Sequence, residues 1–281
     1  MKGRTPEQLK GQIRSFAGKR NLQSQEVLQM FLLERVLDRL SKSRYKDNFI
    51  LKGGLLISSM VGINERTTMD IDTTVTGINM EEDEIEKTIR EILKIDVGDG
   101  IEFIFDKLEP IREDDDYNNF RANFIAHYGK IANKMKIDIT TGDEITPGAV
   151  EYSYRTILDN DEINVMAYNT ETIIAEKYET IMRRNIGTSR ARDFYDLYMF
   201  YNLYKDSINV EILKLAVTRT AKKRDSLETM SGWAEIIDDM KKDIALKELW
   251  KNYCKNNIYA SEVSYDEVME TTLRIANLLK L

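Results

Sequence analysis

The chain of 281 residues has little of three residue types that often define a protein's class: one cysteine, one histidine and three prolines. A single cysteine, Cys254, excludes an internal disulfide framework. With His127 as the one histidine, neither a zinc site nor a Ser-His triad has support. The few prolines and a hydrophobic share of 42% are typical of a globular protein rather than a disordered or fibrous one.

Long apolar runs are also missing. None approaches the roughly 20 residues that a bilayer-spanning helix needs, and Met1 is followed by charged and polar residues rather than by the apolar core of a signal peptide. These two absences predict a cytoplasmic protein that does not contact the membrane. The charge run from Arg112 to Asp116 indicates a solvated loop.

The charge balance is acidic, with a formal net charge of -7. An acidic chain is not typical of nucleic-acid binders, which meet phosphates with clustered lysine and arginine. A local basic patch is still possible, and a solvated helix end is the alternative interpretation of it. The best candidate RNA-contact surface consists of Arg183, Arg184, Arg190, Arg219, Lys222, Lys223 and Arg224.

Strand and helix patterns alternate in the first part of the chain, which predicts an α+β fold with a mixed sheet flanked by helices. Apolar residues at helical spacing predict helices over 24–40, 55–61 and 80–94. Alternating or continuous apolar runs predict strands over 49–51, 70–76, 101–108, 120–127 and 135–140.

Helical periodicity takes over after about Thr170, with candidates over 171–185, 189–204, 207–219 and 229–251. We therefore predict an N-terminal domain over residues 1–168 and an all-helical C-terminal domain over 169–281.

Three carboxylates are the strongest candidates for chemistry. Asp70 and Asp72 are two positions apart on a predicted strand, so their side chains share a face and can hold hard cations such as Mg²⁺ or Mn²⁺. Asp138 lies on a later alternating strand and can share the ion on the same sheet face. Such a site suits in-line phosphoryl displacement. For the Asp70-Asp72 pair alone, a turn, an exposed strand face and a glycosyltransferase-type metal motif remain alternatives.

A glycine pair, Gly53-Gly54, ends a predicted strand and begins a helix. Backbone N–H groups at such a helix start can bind the outer phosphates of a nucleoside triphosphate (NTP). A tight turn with positive φ is the alternative interpretation.

Ions also fall on apolar helix faces in the second predicted domain. Lys177 lies in the apolar arc of one helix and Asp193 in that of the next, with Asp196 at the border of the arc. A lysine in this position needs an anion, or extends past the helix edge to solvent. A structural Arg-Asp network is the alternative for the acids.

Read in chain order, five motifs resemble those of the AbiEii/AbiGii toxin family, which belongs to the polymerase-β-like nucleotidyltransferase superfamily. The motifs are Gly53-Gly54, Arg66-Thr67-Thr68-Met69-Asp70-Ile71-Asp72, Lys136-Ile137-Asp138-Ile139, Glu176-Lys177 and Arg190-Ala191-Arg192-Asp193-Phe194-Tyr195-Asp196-Leu197. The wider superfamily usually has Gly-Ser and a shorter gap before its metal pair. Here Asp70 follows Gly54 by sixteen positions, a spacing similar to that of the toxin branch.

The resemblance implies a nucleotidyltransferase-type sheet and a set of roles for the matching residues. It implies metal binding by Asp70 and Asp72, an active-site carboxylate at Asp138 and contact of Lys177 with nucleotide phosphate. It also implies an essential acid, with Asp193 and Asp196 as the two candidates. Among the residues of the same motifs, Gly53, Gly54, Arg66 and Thr68 are the nucleotide-binding candidates.

The implied function is that of a toxin in an AbiE-type toxin-antitoxin and phage-defence system. An NTP would donate a nucleotide to an acceptor hydroxyl, for which the resemblance suggests the 3′ end of tRNA, and an antitoxin would be encoded nearby. One alternative is nucleotidylation or phosphorylation of a protein or small molecule. Another is a non-catalytic nucleotide-binding module. We expect Lys177→Ala to abolish toxicity without unfolding the protein.

Overall fold

The computed structural model describes residues 4–111 and 118–280, so the charge run from Arg112 to Asp116 lies outside the described residues. The chain divides into two compact units. The first runs to Asp143 and resumes over Val150–Ala167. The second consists of Glu144–Ala149 and of the chain from Tyr168 onward.

The described part of the first unit contains four helices and seven strands. The helices are α1 (Pro6–Arg20), α2 (Ser24–Ser41), α3 (Gly53–Val61) and α4 (Glu82–Leu93). The strands are β1 (Phe49–Lys52), β2 (Ile71–Val75), β3 (Glu102–Pro110), β4 (Phe120–Tyr128), β5 (Ile131–Thr141), β6 (Val150–Arg155) and β7 (Glu162–Ala167).

The seven strands form one mixed sheet in the order β3-β4-β5-β2-β1-β7-β6. β2 pairs with β5 and β1 pairs with β7 in parallel, whereas the other neighbours are antiparallel. α2 packs against β5 and β7, and α4 packs against β3 and β4. Together with the helical second unit, this sheet confirms the predicted α+β fold.

Side-chain alternation along β5 separates the core from the polar face of the sheet. Met135, Ile137 and Ile139 are buried, while Lys136 and Asp138 between them are only half-buried. The strand begins at Ile131, earlier than the predicted start at Met135. The prediction missed this start because the polar residue Asn133 interrupts the apolar pattern. The Asn133 side chain is buried, and its Nδ2 donates a hydrogen bond to Oε1 of Gln29 on α2, which allows a polar residue at this core-facing position.

The elements β6, β7, α1 and the last helix of the chain are absent from the sequence-based predictions. Helix α1 has strong end signals: Pro6 lies at its first position, and Thr5 and Gln8 form a reciprocal capping box. β6 and β7 form a hairpin, and β7 has a parallel partner in β1. β6 has one fully buried residue, Tyr154, which leaves little signal for a strand, whereas β7 alternates exposed and buried residues and its signal was missed.

The described part of the second unit is helical. Its helices are α5 (Thr170–Arg184), α6 (Ala191–Tyr204), α7 (Val210–Lys223), α8 (Leu227–Ser231), α9 (Trp233–Lys242), α10 (Ile244–Asn256) and α11 (Tyr265–Leu279). The prediction of one helix over 229–251 is wrong. The helix is interrupted at Gly232 and again at Asp243. Asp243 has an extended backbone, and its side chain accepts the Leu246 N–H and so caps the start of α10.

No helix within residues 4–111 and 118–280 is long and apolar enough to span a membrane.

Candidate functional site

A row of charged residues crosses five strands of the sheet. Lys52 pairs with Asp72, Asp72 with Asp138, Asp138 with Arg121, and Arg121 with Glu109. Directly paired residues of neighbouring strands project from the same face. The row therefore places two of the predicted carboxylates side by side, with a cation on either flank. We call these five residues the ionic row.

Asp72 lies at the centre of the ionic row and beside the start of α3. Its Oδ2 accepts the Gly54 N–H at 3.2 Å. Burial raises the pKa of Asp72, and the negative charges of Asp70 and Asp138 add to the effect, while the Gly54 hydrogen bond opposes it. The carboxylate is thus short of positive charge.

Asp70 precedes β2 by one residue and is the more accessible member of the predicted pair. Its Oδ1 accepts a hydrogen bond from Thr68 Oγ1 at 3.1 Å, and its Oδ2 lies 3.1 Å from Lys136 Nζ. The Asp70 side chain is 29% exposed. One edge of this carboxylate is therefore open to a ligand, and Thr68 fixes its orientation.

Asp138 is held by an arginine that the sequence did not single out. Arg121 Nε donates to Oδ1 and Nη2 donates to Oδ2, both at 2.7 Å. This two-pronged geometry is the strongest form of a carboxylate ion pair. The hydrogen bond to Asp138 is also the largest cause of the raised pKa of Arg121.

Lys52 is a second cation that the sequence reasoning missed. Its ammonium donates to Asp143, which also accepts a hydrogen bond from Thr140 Oγ1 at 2.9 Å. Burial alone would raise the pKa of Asp143, but the Lys52 charge together with the hydrogen bonds from Lys52, Thr140 and Thr74 outweighs it and lowers this pKa to about 2. The available signal was position, because Lys52 ends a buried strand directly before the glycine pair.

The glycine pair forms the tight turn with positive φ that is the alternative interpretation, and phosphate binding by the pair stays a prediction. Gly53 has a φ of +63°, and a Cβ at this position would overlap the Asp72 carboxylate. A Cβ on Gly54 would press on Thr68 Oγ1 and on the Arg66 guanidinium. Only glycine lets the start of α3 approach the strand that carries Asp72 this closely.

Arg66 lies next to this turn but is turned inward. It is 3% exposed, and its guanidinium donates to the Thr67 carbonyl oxygen. The Ser58 hydroxyl in turn donates to the Arg66 carbonyl oxygen. Contact between Arg66 and a triphosphate stays a prediction, and the contacts present anchor the loop before Asp70.

The donor set suits a hard divalent cation by its chemistry. Asp70, Asp72 and Asp138 supply only oxygen atoms and project from one sheet face, and the charges of Asp70 and Asp138 help to raise the pKa of Asp72. Across the described ranges, no three histidine, cysteine or acidic side chains are gathered closely enough to hold a metal ion as they stand. Asp70 and Asp138 are bound by Lys136 and Arg121 instead.

The second unit gathers the remaining predicted residues into one ion cluster. Lys177 Nζ lies 2.7 Å from Asp193 Oδ1 and 2.8 Å from Asp196 Oδ2. Arg190 Nε donates to the other oxygen of Asp193 at 2.6 Å. Burial alone would lower the pKa of Lys177, but the charges of Asp196 and Asp193 outweigh it and raise this pKa. The prediction that a lysine on this helix face needs an anion is confirmed.

The basic residues proposed as an RNA surface divide into two groups. Arg224 bonds to Glu176 and Glu179, Arg183 bonds to Glu179, and Arg190 bonds to Asp193, so these three arginines serve ion pairs within the unit. Their role as RNA contacts is weakened accordingly. Arg184, Arg219, Lys222 and Lys223 are exposed.

Two solved structures have folds similar to that of this chain. A protein of H. pylori whose structure is described as that of a nucleotidyltransferase is similar at 15% identity and a TM-score of 0.50, covering 92% of this chain and 98% of that chain. JHP933 from Helicobacter pylori is similar at 16% identity and a TM-score of 0.50, covering 92% and 95%. At these identities the likeness concerns the fold alone. No curated protein matches the chain.

A family model matches most of the chain and identifies its family. The model for the nucleotidyl transferase AbiEii toxin of type IV toxin-antitoxin systems matches residues 35–271, well over half of the chain. This match covers both compact units and confirms the resemblance drawn from the motifs. The chain belongs to the AbiEii family of nucleotidyltransferase toxins.

Proposed function

We propose that this toxin transfers a nucleotide from an NTP to the 3′ end of tRNA, and that Asp70, Asp72 and Asp138 bind the Mg²⁺ or Mn²⁺ that the reaction uses. The observation that carries the proposal is the register that pairs Asp72 with Asp138 on parallel neighbouring strands. Asp70 lies two residues earlier, and the start of α3 donates to Asp72. Carboxylates in this arrangement suit phosphoryl transfer.

In the proposed reaction the acceptor oxygen bonds to the α-phosphorus and pyrophosphate leaves. A bound divalent cation supplies neutralisation of the charge on the reacting phosphate oxygens. Asp70, Asp72 and Asp138 provide the oxygen ligands. The Gly54 N–H and the Thr68 hydroxyl orient Asp72 and Asp70, but the three carboxylates must move closer together to hold one cation.

For the second unit, we propose that Lys177 contacts nucleotide phosphate and that Asp193 or Asp196 is the essential acid. Both acids contact the ammonium, which supports a shared role. Asp196 has the more buried side chain, at 0% exposure against 3% for Asp193. Both side chains are almost fully buried, so exposure does not separate the two candidates.

Label transfer tests the reaction. The purified chain is incubated with each labelled NTP, Mg²⁺ or Mn²⁺ and total tRNA. We expect labelled tRNA with at least one nucleotide and no label with Asp72→Asn. The matched control is Asp47→Asn, which removes an equal charge from an exposed position in the same unit.

Each other outcome points elsewhere. If none of the four nucleotides labels tRNA, the tRNA acceptor is wrong. Labelling of the protein itself without RNA favours nucleotidylation of a protein. If Asp72→Asn keeps its full effect on cell growth, the chain acts as a binding module rather than as an enzyme.

A further inference from the structure

Two basic residues that have no assigned role are bonded to the candidate metal ligands. Arg121 contacts both oxygens of Asp138 at 2.7 Å, and Lys136 lies 3.1 Å from Asp70. Both residues come from strands that already border the carboxylates, β4 and β5. The carboxylate cluster therefore carries its own positive charge.

We propose that Arg121 and Lys136 are built-in counter-cations that set how tightly the carboxylate site binds a divalent cation. The proposal rests on the metal-binding role proposed above for Asp70, Asp72 and Asp138. The two residues are positioning residues, because they act through Asp138 and Asp70 rather than on a substrate.

Competition follows from simple electrostatics. A divalent cation that binds Asp138 meets a guanidinium already bonded to both of its oxygens, and one that binds Asp70 meets an ammonium. The divalent cation and the nearby guanidinium or ammonium group repel each other, and water screens this repulsion only in part at a half-buried site. Removing either positive charge should therefore strengthen metal binding.

The geometry argues against a purely structural role for the Arg121 pair. β4 and β5 are joined along nine paired positions, so the sheet does not need this ion pair to keep the two strands together. The Arg121 side chain is 35% exposed, so water screens part of what the pair contributes to stability. What the pair does control is the charge and orientation of Asp138.

Metal binding without nucleotide tests the proposal. Mn²⁺ is titrated into the full chain, and the electron paramagnetic resonance signal of free Mn²⁺ reports the bound fraction. We expect Arg121→Gln to bind Mn²⁺ about tenfold more tightly than the wild type because one nearby positive charge is gone. Lys136→Gln should shift the affinity in the same direction.

Lys134→Gln is the matched control. Lys134 lies on the same strand and sheet face as Lys136, is exposed, and has no ion-pair partner among the described residues. Its loss should change the affinity by less than about twofold, since its charge is more distant and better screened. Arg121→Lys keeps the charge without the paired nitrogens and should remain close to the wild type. Thermal melting curves verify that all four variants are folded.

Unchanged or weaker Mn²⁺ binding by Arg121→Gln would overturn the proposal, because a residue that merely holds Asp138 in shape gives that result. The underlying metal site has a separate failure. If the wild type binds no Mn²⁺, or if Asp72→Asn binds as well as the wild type, the site itself is wrong and the counter-cation role falls with it.

Discussion

Gly53 meets two constraints at the scale of a single residue. Its φ of +63° is a conformation that costs other residues about 1–2 kcal/mol, and a Cβ there would overlap the Asp72 carboxylate. We predict that Gly53→Ala lowers the free energy of unfolding by about 2 kcal/mol or more. Urea denaturation measures this loss.

Gly11 provides the control for that prediction. It lies exposed inside helix α1, and a Cβ there meets open space. Gly11→Ala should therefore stabilise the chain by about 0.5–1 kcal/mol, as alanine does in a helix interior. Equal stabilities of Gly53→Ala and the wild type would show that the turn tolerates a side chain.

Glu34 is a buried acid whose protonation should be visible in the stability of the protein. It is fully buried and accepts hydrogen bonds from the Ile157 N–H at 2.8 Å and from the Tyr154 hydroxyl at 3.4 Å. Burial raises the pKa of Glu34 from 4.5 to about 8. The folded chain therefore holds a proton that the unfolded chain releases above about pH 5.

Because the folded-state pKa is the higher one, this stabilisation is complete below pH 4.5 and is lost as pH rises toward 8. We predict that Glu34→Gln gains stability relative to the wild type by about 1.4 kcal/mol per pH unit across that window. Urea denaturation at several pH values measures the gap. A gap that stays constant with pH would mean that Glu34 ionises normally.

Individual residues show how much of the candidate site the sequence predicts. The spacing of Asp70 and Asp72 placed them on one face, and alternation placed Asp138 on a later strand. Nothing in its sequence neighbourhood marks Arg121, and the only signal for Lys52 is its position directly before the glycine pair. Their partners are set by strand register, which joins residues far apart in the chain.

At the scale of elements, helices α5 and α6 share the ion cluster of Lys177, Asp193 and Asp196. The structure changes the expected outcome for Lys177→Ala, because the substitution removes the ammonium that both almost fully buried carboxylates contact. Removing one member of a buried ion pair typically costs about 3–5 kcal/mol. We therefore predict that a Lys177 variant is both inactive and destabilised.

A variant that removes all three charges separates the two effects. Lys177→Met combined with Asp193→Asn and Asp196→Asn leaves only the Arg190 charge, and because that side chain is 48% exposed, most of the lost stability should return. Thermal melting gives the stability, and growth arrest in cells gives the toxicity. A stable triple variant that is still toxic would remove Lys177 and both acids from the mechanism.

Elements with one strong pattern were predictable and elements with mixed patterns were not. Helix α4 has charged residues on one face and isoleucines on the other, and its prediction differs from the observed bounds by two residues or fewer. Strand β6 has no such contrast, and the β6-β7 hairpin is stabilised by pairing with β1, a contact that only the folded chain contains. The breaks at Gly232 and Asp243 depend on local capping within an otherwise helical pattern.

At the scale of the whole molecule, composition and helical periodicity predicted the α+β class and the helical second part. They could not show that the chain enters the second unit twice, first over Glu144–Ala149 and then from Tyr168. Pro147-Gly148 lies in the first entry but by itself predicts only a turn, and no glycine-rich or proline-rich linker marks the crossing at Tyr168. The short first entry is recognisable by its contacts, such as the Thr146 N–H bonded to Thr172 Oγ1 at 3.1 Å.

The ionic row makes the proposed metal site dependent on correct strand pairing. A slip of β5 by one residue against β2 would bring an isoleucine opposite Asp72 and would turn Asp138 into the core under α2. The same slip would expose Met135, Ile137 and Ile139. A chain that pairs its strands wrongly thus loses its hydrophobic core and its carboxylate cluster together. Only a correctly paired sheet therefore carries the candidate site.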